Sequence, residues 1–441
     1  MTRHKPIPTS RFSRLTQIGQ LAGGIAGGVV SEGARQLVRG ERPGMRDLLL
    51  TPGNVNRIAH RLSEMRGAAM KVGQLISMDN GHLISPELSA LLARLREDAH
   101  AMPMLQLADV LEGNWGSGWE SQFSRFFFTP MAAASIGQVH KATLKNGRQL
   151  AIKVQYPGIV RSIDSDVDNV GTLMNLLKLL PDELDLGVLL SEAKKQLHLE
   201  ADYLHEAQAM EKFQQQLKED QRIVIPSVVE ELTTAEVLSM DYLDGDPIES
   251  VQGMSQALRD RTASLLLEIA LREVFEWGLV QTDPNFSNYL FHTRSERLQL
   301  LDYGATRAYA PHRRKVLLQL LSACLDGDVA DIAQAAEKVG YLGEGDPEGY
   351  HNFVVQLLRA ATEPARSHKA YDFAQSDLPK RMAEIVVEMR LKNRYNRLPP
   401  MDILFLHRKL GGLYLLFSRL EAKLDVRGMI RAQGLLGLGA S

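Results

Sequence analysis

Asp283 and Asn288 stand five residues apart in Asp283-Pro284-Asn285-Phe286-Ser287-Asn288, and Asp302-Tyr303-Gly304 follows on the next apolar run. An aspartate followed at that interval by an asparagine supplies a base and an oxygen ligand. A second aspartate ahead of an aromatic residue and a glycine supplies another oxygen. Two such oxygens suit Mg²⁺ bridging the phosphates of ATP, where the protein acts by positioning and charge rather than by covalent chemistry. Lys153, in Leu150-Ala151-Ile152-Lys153-Val154, is the cation such a site needs on the phosphates. The chemistry these residues could do is γ-phosphoryl transfer, with Asp283 orienting water or an acceptor hydroxyl. Asp-x-x-x-x-Asn alone is a weak signal; in order with Asp302 and an upstream strand lysine it becomes specific.

These side chains need particular elements to hold them. Asn146-Gly147 between the apolar runs 138–144 and 148–154 predicts a hairpin whose second arm carries Lys153. A carboxylate partner for that lysine comes from Glu200-Ala201-Asp202-Tyr203-Leu204-His205-Glu206. Read as one helix over 187–218, Asp202 and Glu206 are four apart and share a face, and Glu200 on the same helix is grouped with them as one acidic cluster. Three acids so grouped repel unless cations bind them, which makes Lys153 and a second cation or Mg²⁺ reasonable partners; the bland alternative is a solvated acidic face. Where a glycine-rich phosphate loop would stand, the chain has Met131-Ala132-Ala133-Ala134-Ser135-Ile136-Gly137-Gln138. Alanine resists positive φ, so this loop is expected to be stiffer, with Ser135 placed to cap a turn or hydrogen-bond a phosphate. Gln281-Thr282-Asp283 stands where conventional kinases have His-Arg-Asp. No G-x-x-x-x-G-K-[ST] occurs, which excludes a P-loop NTPase.

A chain of 441 residues with 44% apolar and 24% charged residues is an ordinary globular protein of two or three lobes. Strand signals concentrate between about 121 and 245 and helical periodicity beyond, which predicts a bilobal α+β plan. The expected segments are a basic, glycine-rich stretch 1–46, a helical extension 47–120, a strand-rich lobe 121–245 and a helical lobe 246–441. Phe126-Phe127-Phe128 reads as one of the strands. The first 46 residues carry eight Lys/Arg against two Glu, a net +6 in a chain of net −2. Within them, Gly19, Gly23 and Gly27 line one face of an Ile18–Val30 helix, too short to span a bilayer but suited to a helix pair or an anionic membrane surface. A single cysteine, Cys324, leaves no internal disulfide and fits a reducing compartment.

Lys71-Val72-Gly73-Gln74, Ala132-Ala133-Ala134-Ser135, Ala151-Ile152-Lys153-Val154-Gln155-Tyr156-Pro157-Gly158, Glu200-Ala201-Asp202-Tyr203, Gln281 to Asn288, Leu301 to Arg307 and Leu406 to Gly412 together resemble the signatures of the UbiB/AarF-domain atypical kinases. The resemblance is to the mitochondrial branch that supports coenzyme Q biosynthesis and covers roughly residues 10–425. It implies a bilobal protein-kinase-like α+β fold with ATP and Mg²⁺ as cofactors. Lys153 resembles the nucleotide lysine and Glu206 its helix partner; Asp283 resembles the catalytic aspartate, with Asn288 and Asp302 on the metal. Ala132, Ala133, Ala134 and Ser135 would lie over the phosphates, and Met240, Asp241, Tyr242 and Leu243 resemble the hinge that binds adenine through its backbone. Lys71 and Gln74 resemble a regulatory element on a helix that folds over the site and meets Glu200 and Asp202.

The same resemblance implies an ATPase or atypical kinase tied to membrane lipids and quinone precursors, working beside ubiquinone-biosynthesis enzymes. It places the chain peripherally on an inner membrane, on the cytoplasmic face or, in a eukaryote, on the mitochondrial matrix face. Nucleic acid is not an expected partner, and the N-terminal glycine face invites a homodimer. The alternatives are a protein or small-molecule kinase, and a nucleotide-gated lipid or biosynthetic-complex scaffold. Two departures stand out. Tyr303 replaces the usual Phe and adds a hydroxyl that needs a partner. The C-terminal membrane spans of the bacterial branch have no counterpart, so integral anchoring is not expected.

Overall fold

The computed structural model describes residues 62, 65–79, 102–176, 186–326, 328–395 and 397–435. The Ile18–Val30 helix, with the dimer and membrane contacts assigned to it, lies outside these residues. Two units divide the chain: residues 1–77, 81–208 and 227–242 form one, and 78–80, 209–226 and 243–441 the other.

In the first unit α1 (Arg66–Asp79) buries Ala68, Ala69, Val72, Leu75 and Ile76, a helical stripe that also carries Lys71 inward. Helix α2 (Met104–Trp115) buries Leu107 and Leu111. After it come β1 (Phe123–Phe126), β2 (Ala132–Ala133), β3 (Gly137–Leu144) and β4 (Gln149–Gln155). The expected strand at 126–128 begins three residues earlier, because Trp119, Phe123 and Phe126 pack edge-on into one aromatic cluster. Phe127 still reaches β3: its amide donates to the Lys141 carbonyl, and its own carbonyl accepts from His140 Nδ1 at 2.9 Å. The β3–β4 hairpin turns at Gly147, whose φ of 87° lies in the left-handed region that glycine tolerates.

Helices α3 (Ile159–Leu176), α4 (Leu186–Glu200) and α5 (Tyr203–Leu217) follow. The single helix expected over 187–218 is therefore two. Asp202 breaks it by accepting the His205 amide at 3.0 Å, as an N-cap does, and so starts α5 in a new direction. The chain then forms β5 (Ile223–Val224), which belongs to the second unit, and returns as β6 (Val237–Asp241). The first unit's antiparallel sheet runs β1-β3-β4-β6, with β2 paired to β3. Register sets Lys153 between Val139 and Leu238 on a central strand.

The second unit is mainly helical. Its four-stranded sheet has the order β5-β10-β9-β7, from β7 (Asp246–Pro247), β9 (Tyr289–His292) and β10 (Arg297–Leu300), and β5 pairs parallel to β10. Helix α6 (Gln256–Leu271) passes directly into a π turn, Arg272–Trp277, which ends at Gly278. Strand β8 (Leu279–Gln281) then pairs with β11 (Thr306–Ala308), so the segments before Asp283 and after Asp302 are locked in one ladder. Farther on, α12 (Met401–Arg419) is apolar on most of its length yet carries His407, Arg408 and Lys409.

His407 is half-buried and hydrogen-bonded to the Tyr341 hydroxyl, and desolvation pulls its pKa from 6.5 to about 4. The unfolded chain therefore binds more protons than the folded one between those values, and stability is lost as pH falls through that range. Acidification from pH 7 to pH 5 is expected to cost about 2 kcal/mol through this group alone. Urea melts of His407→Gln should lack that increment; an identical pH slope in the variant would refute the assignment.

Candidate active site

In the first unit Lys153 meets Glu206. Its Nζ donates to both carboxylate oxygens, at 2.9 and 2.8 Å, and also lies 5.1 Å from the Tyr203 ring centroid. Both side chains are buried, so the pair is held in a medium where each charge depends on the other. Glu206 reaches this position because the cap at Asp202 resets the helix by the turn that Tyr203 opens. Gly137, beside the alanine loop, permits the close packing there: a Cβ on it would sit 2.3 Å from the Val154 carbonyl oxygen and 2.9 Å from the Tyr203 hydroxyl.

Lys71, itself buried, makes a second pair with the half-buried Glu200 at the end of α4. The three acids thus separate. Glu206 takes Lys153, Glu200 takes Lys71, and Asp202 caps α5, which corrects the shared acidic face expected for them. Helix α1 also packs on the alanine loop, since a Cβ at Gly67 would lie 2.9 Å from the Ser135 carbonyl oxygen. Within that loop Ala132 and Ala133 form β2, and the Ala134 amide donates to the Gly137 carbonyl at 2.9 Å. Ala132, Ala133 and Ser135 are exposed, and Ala134 is half-buried. At the expected hinge, the amides of Asp241 and Tyr242 are already donated to the carbonyls of Ser227 and Gln149, and the Asp241 carboxylate binds Arg148 at 2.7 Å. Met240 is paired in register with Ala151. An adenine contact through Asp241 or Tyr242 would thus have to use a carbonyl.

In the second unit Asp283, Asn288 and Asp302 are drawn together by Gln281. Its amide nitrogen donates to the carbonyls of Asp283 and Asp302 at 2.9 and 3.3 Å, while its amide oxygen accepts the Asp283 N–H. Thr282 adds a hydroxyl bond of 2.7 Å to the Ala305 carbonyl. Gln281 and Thr282, which replace the usual His-Arg, therefore fasten the Asp283 loop to the Asp302 turn. Asn288 donates Nδ2 to the Asp283 carbonyl at 3.2 Å, which leaves its Oδ1 as the acceptor for a cation. Asp302 accepts the Gly304 amide at 3.0 Å. Among the described residues no group of three or more His, Cys, Asp or Glu is placed to hold a metal ion. An amide oxygen and one carboxylate fit Mg²⁺, which takes few protein ligands and completes its shell with phosphate oxygens and water.

The ABC1 atypical kinase-like domain matches residues 94–336, more than half of the chain. The chain belongs to the ABC1 atypical kinase-like family. Rat atypical kinase COQ8B, mitochondrial, is 35% identical over 433 residues, covering 98% of this chain and 81% of that protein. Atypical kinase COQ8, mitochondrial, of Saccharomyces cerevisiae is 34% identical over 94% of this chain and 83% of its own length. The chain spans only 57% of atypical kinase coq-8 from Caenorhabditis elegans, at 34% identity. Among solved structures, the Rv3197–erythromycin complex from Mycobacterium tuberculosis superposes with a TM-score of 0.62 at 24% identity, covering 88% of this chain and 96% of that one. That likeness shows a common fold. The domain match establishes a kinase-like enzyme that binds ATP with a metal ion.

The ABC1 fold brings in three residues to which sequence reasoning assigned no role. Arg408 on α12 makes a half-buried ion pair with Asp283. Lys409, the next residue, holds Glu273 of the π turn at 2.9 Å, with both side chains within 5% of full burial. Gly412 on the same helix gives Pro284 room, because a Cβ there would stand 2.3 Å from the proline ring. Helix α12 is therefore the platform of the Asp283 loop. One signal was available in the sequence: Arg408 and Lys409 interrupt an apolar helical run, and buried cations require partners. Burial pushes the Glu273 carboxyl up. It would pull Lys409 down, but the charges of Glu273 and Tyr289 outweigh it and hold the lysine above its ordinary value.

Proposed function

We propose that this chain is an ATP- and Mg²⁺-dependent kinase-like ATPase that supports ubiquinone biosynthesis at a membrane surface. The observation that carries the reading is the second unit's cluster, in which Gln281 ties Asp283 and Asp302 together and Asn288 presents an amide oxygen beside them. In this reading Asn288 and Asp302 would hold Mg²⁺, which would supply positive charge to the phosphates, and Lys153, paired with Glu206, would bind them. Asp283 takes the hydrogen bond of the attacking water or hydroxyl and orients it, while Arg408 fixes the carboxylate. The packing of α1 against the backbone of Ser135 supports an ATPase or small-molecule kinase over a protein kinase, because the chain's own helix lies beside the loop expected over the phosphates. Peripheral attachment to a membrane, on the matrix face in a mitochondrion, accords with the relatives' mitochondrial names. Among the described residues, no helix is long and apolar enough to cross a bilayer.

Asp302→Asn is expected to abolish the Mg²⁺-dependent part of the ATP-induced melting shift while leaving the fold intact. An unchanged shift would defeat the metal assignment. Phosphate release with and without anionic liposomes separates the outputs: release with no labelled protein or lipid supports ATPase action, and a labelled acceptor identifies a kinase.

A further inference from the structure

Directly behind the Asp302-Tyr303-Gly304 turn the second unit contains a small cavity of about 20 Å³, whose walls include Glu273, Asn288, Tyr289, Asp302, Tyr303 and Lys409. A space of that volume accommodates one water molecule, provided that polar groups surround it. They do. The Glu273–Lys409 pair forms one wall, and the Tyr303 hydroxyl, on a residue 2% exposed, has no hydrogen-bond partner among the described residues. A buried hydroxyl left so would be destabilising, and phenylalanine would fill the same position without that cost. Glu273 lines the cavity from the π turn that follows α6, a distortion that recurs at functional positions.

We propose that the cavity holds one ordered water joining the Tyr303 hydroxyl to the Glu273–Lys409 pair, and that this network sets the position of Asp302 for the metal. Tyr303, Glu273 and Lys409 are then positioning residues. Tyr303 follows Asp302 in the chain, and its ring is held from the other side by Phe213 at 4.8 Å between centroids, so tethering the hydroxyl fixes the backbone that aims the carboxylate. Outer-layer hydrogen bonds of this kind govern how well a ligand presents its oxygen. The inference rests on the reading of Asp302 as a metal ligand.

The test uses the full chain with a non-hydrolysable ATP analogue, following the melting shift as Mg²⁺ is titrated and again in excess EDTA. Tyr303→Phe is expected to raise the Mg²⁺ half-saturation about tenfold, in line with outer-layer losses elsewhere, and to leave the EDTA shift unchanged. It should also lower the urea midpoint of the apo chain, whereas removal of a hydroxyl with no water partner would raise it. Glu273→Gln keeps the side-chain volume and should move the half-saturation in the same direction. The double variant should do no worse than the larger single, as members of one network behave. If Asp302→Asn abolishes the metal-dependent shift while Tyr303→Phe stays within twofold of the parent, the positioning network is wrong and the metal assignment stands. If Asp302→Asn leaves the shift intact, the metal assignment itself has failed.

Discussion

Glu206→Gln is expected to lower the unfolding free energy by about 3–5 kcal/mol, because it removes the carboxylate whose two oxygens both accept from the buried Lys153 ammonium. The substitution changes neither volume nor helix propensity appreciably, so the loss measures charge compensation rather than packing. Lys153 donates to both Glu206 oxygens at 2.9 Å or less, on a strand whose neighbours Ile152 and Val154 are fully buried. Water cannot easily replace the lost carboxylate at so buried a position. The double variant Lys153→Met/Glu206→Leu removes both charges and should recover most of the stability, since apolar replacement of a buried pair is often neutral or favourable. It should nonetheless lose ATP binding. Urea unfolding at constant m-value supplies the measurement. A single variant within about 1 kcal/mol of the parent, or a double variant no better than the single, would overturn the account.

Arg408→Ala is expected to lower kcat for ATP hydrolysis by 10²- to 10³-fold, about 3–4 kcal/mol of transition-state stabilisation, with the Mg²⁺-ATP melting shift retained. One oxygen of Asp283 is held by Arg408, and the other lies 3.5 Å from Asn288 Nδ2. Removing the guanidinium frees the carboxylate to rotate, and an ångström of misplacement at a reacting group is worth about a hundredfold in rate. Lys at this position keeps the charge but loses the planar fork, so Arg408→Lys should recover only part of the rate. Because Arg408 is argued to act through Asp283, adding Arg408→Ala to Asp283→Asn should cost little more than the worse single variant. Multiplicative losses, or a rate within threefold of the parent, would show that the ion pair does not orient the base.

How much of this site was legible from sequence depended on how local its cause was. The β3–β4 hairpin could be read from Asn146-Gly147, since the turn geometry resides in those residues. The Asp202 break was missed although its cause was equally local: helical periodicity continues across Asp202, and periodicity does not reveal that an aspartate will cap rather than continue a helix. That error merged α4 and α5 and assigned three acids to one face, whereas each acquired its own task. The hydroxyl of Tyr303 was recognised as needing a partner, but its surroundings come from Glu273 and Lys409, 30 residues before it and 106 after it in the chain.

Sequence alone determined the family and the kinase-like class of chemistry, because those reside in residue types at short, ordered intervals. The tertiary structure alone decided which charge pairs with which. Arg408 found Asp283, Lys409 found Glu273, and Lys71 took Glu200 while Lys153 took Glu206. A buried charge must be compensated within hydrogen-bonding distance, and that distance is set by how helices and strands pack rather than by separation along the chain.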